Sequence, residues 1–241
     1  MNYDWRALAI LLAALFVISN IGRFLLFRVP ALKALRDKNT ELDAVRRAEF
    51  KEPWVVESGK KTGFVLNALF ALGVLPFFMT VNELPLWRVA IDIVAILMIY
   101  DFYYYLTHRF AFHGVGWLKR VHGVHHQALN PVAIDSFYVH PVETAIGIAL
   151  FFAGILSWGL FIGPIHVASI LVCYLAFVYI NTFNHIHFDL NKFPFKTLHY
   201  AVAKHHVHHV HMRMGNYATL TMFYDYLFGT LDKDRRTKTR A

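Results

Sequence analysis

Five apolar stretches, at roughly 5–27, 62–80, 84–106, 143–162 and 164–185, punctuate this 241-residue chain. A bilayer core offers the backbone no water, so a single segment crosses it as a helix of about 20 residues. These stretches therefore predict an all-α integral membrane protein with about five transmembrane helices. The second and third are joined by VNELP and the fourth and fifth by Gly163-Pro164, which predicts two tight helical hairpins. Composition agrees: 57% of residues are hydrophobic and the mean hydropathy is +0.41, beyond the soluble range.

Charge orients the bundle. Residues 28–61 hold nine Lys/Arg, so the positive-inside rule assigns that loop to the cytoplasm. Counting crossings from there predicts an outside N-terminus, outside hairpin tips, and inside segments at 107–142 and 186–241. The basic run from Lys233 to Arg240 fits that assignment. The net charge of +8 thus belongs to a membrane surface, and no nucleic-acid partner is expected, because the aromatics sit in the apolar spans rather than among the basic residues. The first stretch, with Arg6 and Arg23 at its ends and no small-residue cleavage site, reads as an anchor rather than a signal peptide. Residues 31–52 alternate charge with Leu, Ala and Val, as a solvated, interfacial or partner-binding helix does. The expected division is 1–61, anchor and cytoplasmic amphipathic loop, and 62–241, the membrane domain proper.

Fifteen histidines occur, nearly all in the bands 108–140 and 185–211, and the spacing HxxHH appears twice: His122/His125/His126 and His205/His208/His209. On a helix, positions i, i+3 and i+4 share a side, so each triplet aims three imidazoles at a common point. His108 and His113 stand about 140° apart on an ideal helix; a helix ending at Gly114 or Gly116 would swing His113 inward. Of His185 and His187, which cannot share a helical face, His185 is favoured and His187 is the weaker ligand candidate. His166 and His206 are expected to have no metal role, and His211 sits at the edge of its triplet. With His140, the inward set reaches about ten, too many for one zinc and enough for two adjacent ions. The lone Cys173 leaves nitrogen and oxygen as donors, and imidazole suits iron, copper, nickel and zinc alike.

Asp101, two turns before His108, is expected to orient a ligating imidazole, with Glu143, Asp135 and Asp225 as further orienting carboxylates. The aromatic run from Phe102 to Tyr105 reads as an interfacial belt.

Together HRFAFH at 108–113, HGVHH at 122–126, HPVE at 140–143, HHVHH at 205–209, GNYA at 215–218 and FGT at 228–230 resemble the fatty acid hydroxylase/sterol desaturase superfamily, from about Tyr100 to Thr230. The resemblance implies a di-iron centre that uses O2 and two electrons to hydroxylate or desaturate an unactivated C–H bond of a membrane lipid. Its histidine boxes map onto His108 and His113, onto His122, His125 and His126, and onto His205, His208 and His209; His140 matches the HP position and His185 the histidine ending the preceding span. No HPGG haem motif occurs, so the expected electron donor is a separate cytochrome b5-like protein, ferredoxin or similar. The rival readings are a membrane metal transporter and a non-catalytic metal-binding protein. Transport calls for polar groups in interrupted helices near the midplane, whereas the fourth and fifth stretches carry mainly Gly and Ser there, and Asp92 has Arg88 at i−4 to pair with.

Overall fold

The computed structural model describes residues 2–190, 192–210 and 214–232; His211 and the basic tail from Lys233 lie outside them. Asp4 opens α1 (Trp5–Val17) by accepting the Ala7 N–H at 2.9 Å, and α1 continues through a π turn into α2 (Arg23–Leu26). After α3 (Pro30–Ala48) come α4 (Trp54–Gly73), α5 (Leu86–Leu106) and α6 (Trp117–His125). Then follow α7 (Pro141–Ile162), α8 (Val167–Phe183), α9 (Lys196–Val210) and the short α10 (Phe223–Leu227).

Among the described residues, three rods have the length and apolarity to cross a membrane: Trp5–Leu26, Leu86–Phe112 and Pro141–Ile162. The other two expected spans differ for separate reasons. α4 is long enough, but it begins at Trp54 and carries Glu57, Lys60 and Lys61 in its first two turns. α8 has 17 residues, about 25 Å of helix, because the start of its apolar run forms an extended tip and a cap.

That tip explains His166. The two hairpin turns carry short strands, β1 (Met79–Thr80) and β2 (Ile165–His166), which pair in parallel with Met79 opposite Ile165. His166 caps α8 by accepting the Ala168 N–H at 3.2 Å, a structural role. The N-terminus joins the same end, where Asp4 N–H donates to the Pro76 carbonyl at 2.9 Å. Both hairpin tips and the N-terminus thus share one end of the bundle, and the two histidine bands share the other.

Between the ends, α5, α7 and α8 pack on Ile96, Ile155 and Ile170, all essentially inaccessible, with Phe151 stacked on Phe177 at 4.4 Å. Asp92, buried in α5, takes the expected Arg88 Nε–H at 2.9 Å and also the Trp158 indole N–H at 2.7 Å. A buried acid in a span needs such partners. The tyrosine run departs from the belt expectation: Tyr103 bonds Ser157 at 3.1 Å and Tyr105, 1% exposed, bonds Thr230 at 3.0 Å. Tyr103 meets α7, and Tyr105 is covered by α10 and the 228–230 turn.

Candidate metal centre

The site is assembled from four segments at the end of the bundle opposite the tips. α5 does not stop at Leu106; it passes into a π turn, Thr107–Phe112, in which His113 N–H donates to the His108 carbonyl at 3.0 Å. This i to i+5 closure brings His108 and His113 together, with ring centroids 4.9 Å apart. The helix does end just before Gly114 and Gly116, at Phe112, and its last turn is a π turn. Gly114 remains necessary, since a Cβ there would collide with the Phe110 carbonyl oxygen.

Each HxxHH triplet is split between two points. His122 and His126 join His108, His113 and His208 in one group, while His125 joins His185, His205 and His209 in a second; within each group the donor atoms lie within 4.8 Å of one another. The expectation of one common point per triplet is corrected by simple geometry. Positions i and i+4 lie about 40° apart on a helix, but i+3 falls about 60° to the other side of i. The i, i+4 pairs His122/His126 and His205/His209 therefore serve opposite groups, and the i+3 members His125 and His208 cross over. The groups abut, with the rings of His126 and His209 4.9 Å apart.

Backbone carbonyls set the tautomers. Nδ1 of His108 lies 2.6 Å from the Tyr217 carbonyl and Nδ1 of His208 2.9 Å from that of Gly215. A carbonyl only accepts, so each Nδ1 carries the proton and each Nε2 presents a lone pair. These two Nε2 atoms are nevertheless 3.2 Å apart, and the Nε2 of His108 is 3.0 Å from that of His122. The second group repeats the arrangement: His185, His209 and His125 face the carbonyls of Asn181 at 2.8 Å, Ala128 at 2.9 Å and Tyr138 at 3.3 Å. Its Nε2 atoms again cluster, His125 to His185 at 3.1 Å and His205 to His209 at 3.1 Å. Among the described residues, neither nitrogen of buried His126 has a hydrogen-bond partner. Lone pairs converging at such distances repel unless a cation lies between them, so the donor set fits two metal ions. Protonation is opposed too: burial pushes His125 and His208 down to about 3, and lowers His122, His126, His205 and His209 as well.

The other expected site residues fall elsewhere. His140 is not brought to either group; it caps α7, its Nδ1 accepting the Val142 N–H at 3.2 Å, because the HP dipeptide starts a helix there. His187 faces His206 instead, ring centroids 5.7 Å apart. Among the four carboxylates, Glu143 alone touches an imidazole of the two groups, Oε1 to His122 Nδ1 at 2.7 Å. Asp101 acts a step further out, accepting the N–H groups of Thr219 at 3.0 Å and Leu220 at 2.9 Å. Asp225 accepts those of Tyr217 and Ala218, both at 2.8 Å, and so holds the loop whose carbonyls orient His108 and His208. Asp135 pairs with Arg46 at 2.9 Å and touches no histidine.

Sequence reasoning missed the backbone acceptors at Ala128, Tyr138, Asn181, Gly215 and Tyr217. The GNYA motif was the available signal for two of them. Asn216 sits at φ 64°, in the left-handed region that asparagine tolerates, and presents the neighbouring carbonyls to the histidines.

Beside the second group lies a cavity of about 310 Å³ between α4, α5, α7 and α8, reaching His125 and Glu143. Gly59, Gly63 and Gly147 line it, and Phe64, 77% exposed on α4, marks its outer side.

The chain is a membrane helical bundle that gathers nine imidazoles into two abutting groups at one end, each of which could hold a metal ion. The fatty acid hydroxylase family model matches residues 93–230, more than half of the chain, and the chain belongs to that family. It is 31% identical to methylsterol monooxygenase 2-2 of Arabidopsis thaliana over 190 residues, 73% of this chain and 68% of that one. It is 32% identical to the very-long-chain aldehyde decarbonylase GL1-8 of Oryza sativa subsp. indica over 163 residues, 66% of this chain and 58% of that one. Against two relatives from Dictyostelium discoideum, the match spans about half of the relative's length, 52% and 50%. No solved structure matches the chain significantly.

Proposed function

We propose that this protein is an O2-dependent membrane oxidoreductase that hydroxylates or desaturates an unactivated C–H bond of a lipid at a di-iron centre. The observation that carries the reading is the double group of converging imidazole nitrogens beside a cavity, at the end of the bundle opposite the hairpin tips. Five imidazoles around one point exceed the four ligands of a structural zinc, and no thiolate is near, which favours a metal of higher coordination number such as iron. The names of the relatives, a methylsterol monooxygenase and a very-long-chain aldehyde decarbonylase, point to apolar lipid-derived substrates.

His108, His113, His122, His126 and His208 would hold one iron, and His125, His185, His205 and His209 the other. When bound, the two irons supply the activation of O2 and the cleavage of the C–H bond. The chain's own residues do the rest. Backbone carbonyls hold the proton on Nδ1 of His108, His208, His125, His185 and His209, and Glu143 does so for His122. The cavity lies within the usual size range of ligand sites, takes a lipid chain sideways from the bilayer, and excludes water from it. The histidine end faces the cytoplasm, where a separate cytochrome b5-like protein or ferredoxin delivers electrons.

Purified full-length chain should hold two irons. Cells with and without it should differ, by mass spectrometry, in a lipid carrying one added oxygen or lacking two hydrogens. A single zinc per chain, with turnover independent of O2, would exclude the oxygenase.

The path from the bilayer has its own test. A Cβ at Gly147 meets no atom within 4 Å, so a larger side chain there projects into open cavity. Gly147→Leu is expected to cut lipid turnover by about 10-fold or more while both irons stay bound. Unchanged turnover would move the substrate path elsewhere.

A further inference from the structure

Residues 30–52 precede the family-matched segment, and their sequence pattern alone is that of a solvated or partner-binding helix. We infer that α3 and the turn after it are a positioning strap for the second imidazole group, His125, His185, His205 and His209, and not for the first. The inference rests on the two-ion reading of the site.

Three sets of contacts carry it. Asn39, 6% exposed, accepts the His187 N–H at 2.9 Å and donates to the His187 carbonyl at 3.4 Å, two residues beyond His185. One turn earlier, Leu35 packs with Ile186 and Val202, beside His185 and one turn before His205. Next, Asp43 accepts the Ile134 N–H at 2.8 Å, and Arg46 pairs with the fully buried Asp135 at 2.9 Å. These pin the segment whose Tyr138 carbonyl faces His125 Nδ1. Finally, Phe50 stacks on the Tyr138 ring at 4.4 Å, and the Tyr138 hydroxyl accepts the Glu52 N–H at 3.2 Å and donates to Gln127 at 2.9 Å. Gln127 adjoins Ala128, whose carbonyl takes the His209 Nδ1–H.

The first group is oriented by different parts: the Gly215 and Tyr217 carbonyls, on a loop held by Asp101 and Asp225, and Glu143, in the first turn of α7. The two ions are therefore supported by separable segments of the chain. Partners of ligating histidines typically contribute 10–100-fold to metal affinity; the strap acts one contact further out, so about tenfold is expected.

The experiment titrates the full chain in detergent with Co²⁺ as the probe, without oxygen. The wild type should bind in two steps. Asn39→Ala and Arg46→Ala should weaken one step about tenfold and leave the other unchanged, whereas Lys38→Ala, which breaks only an exposed pair with Asp189, should change neither. In a His205→Ala background the strap variants should add nothing; in a His113→Ala background they should weaken the step that remains. Arg46→Lys and Asp43→Asn provide the same measurement if an alanine variant fails to fold, with Arg46→Lys restoring part of the lost affinity. Two wild-type steps that the strap variants leave intact, or weaken equally, would overturn the inference. A wild type binding fewer than two ions would instead refute the two-ion reading beneath it.

Discussion

Gly215→Ala is expected to abolish turnover and to release the metal of the first group. A Cβ at this position would collide with the Thr230 carbonyl oxygen and approach its carbon, so backbone rather than a flexible side chain must move. The displaced loop carries both carbonyls that orient His108 and His208. A misplacement of about 1 Å at a reacting centre costs roughly 100-fold, and here two ligands of one ion shift together. Metal analysis and turnover on the purified variant check this, with insertion into the membrane as the control for folding. A variant retaining both metals and near-normal turnover would show that the 215–217 loop does not position the site.

The second large effect separates the two groups. His125→Ala leaves three imidazoles in its group, and His208→Ala leaves four in the other. Each is expected to lower metal content from two ions toward one, and to reduce turnover by at least about 1000-fold, as when one member of a unit acting together is removed. The residual ion should differ between the variants, visible as distinct spectra after Co²⁺ substitution. His166→Ala and His206→Ala serve as contrasts and should keep both ions. Equal losses at His206 and His208 would mean that the histidines have been sorted wrongly.

The histidine inventory shows how far sequence pattern reaches. Nine of the ten imidazoles singled out by spacing are brought into the two groups, and the exception, His140, is explained by its proline neighbour. Periodicity located the triplets because helical phase is a local property. The same phase sets the i+3 member apart from the i, i+4 pair, but it could not say which ion either faces, since that depends on where α5 and α9 lie. The gap between His108 and His113 likewise looks unfavourable on an ideal helix and becomes favourable only in a π turn. Among the carboxylates, sequence distance could not distinguish Glu143, which meets His122, from Asp101 and Asp225, which meet backbone N–H groups of the loop at 217–220.

The chain alone thus determined its membrane character, its helical class and the donor type, because a bilayer tolerates little else for such apolar runs and imidazole spacing is read along one helix. Tertiary structure decided the partition into groups of five and four, the carbonyls that set each tautomer, and the use of α3 as a strap. Those depend on segments up to 151 residues apart meeting in space, as Lys38 and Asp189 do, and no local pattern encodes where such segments cross.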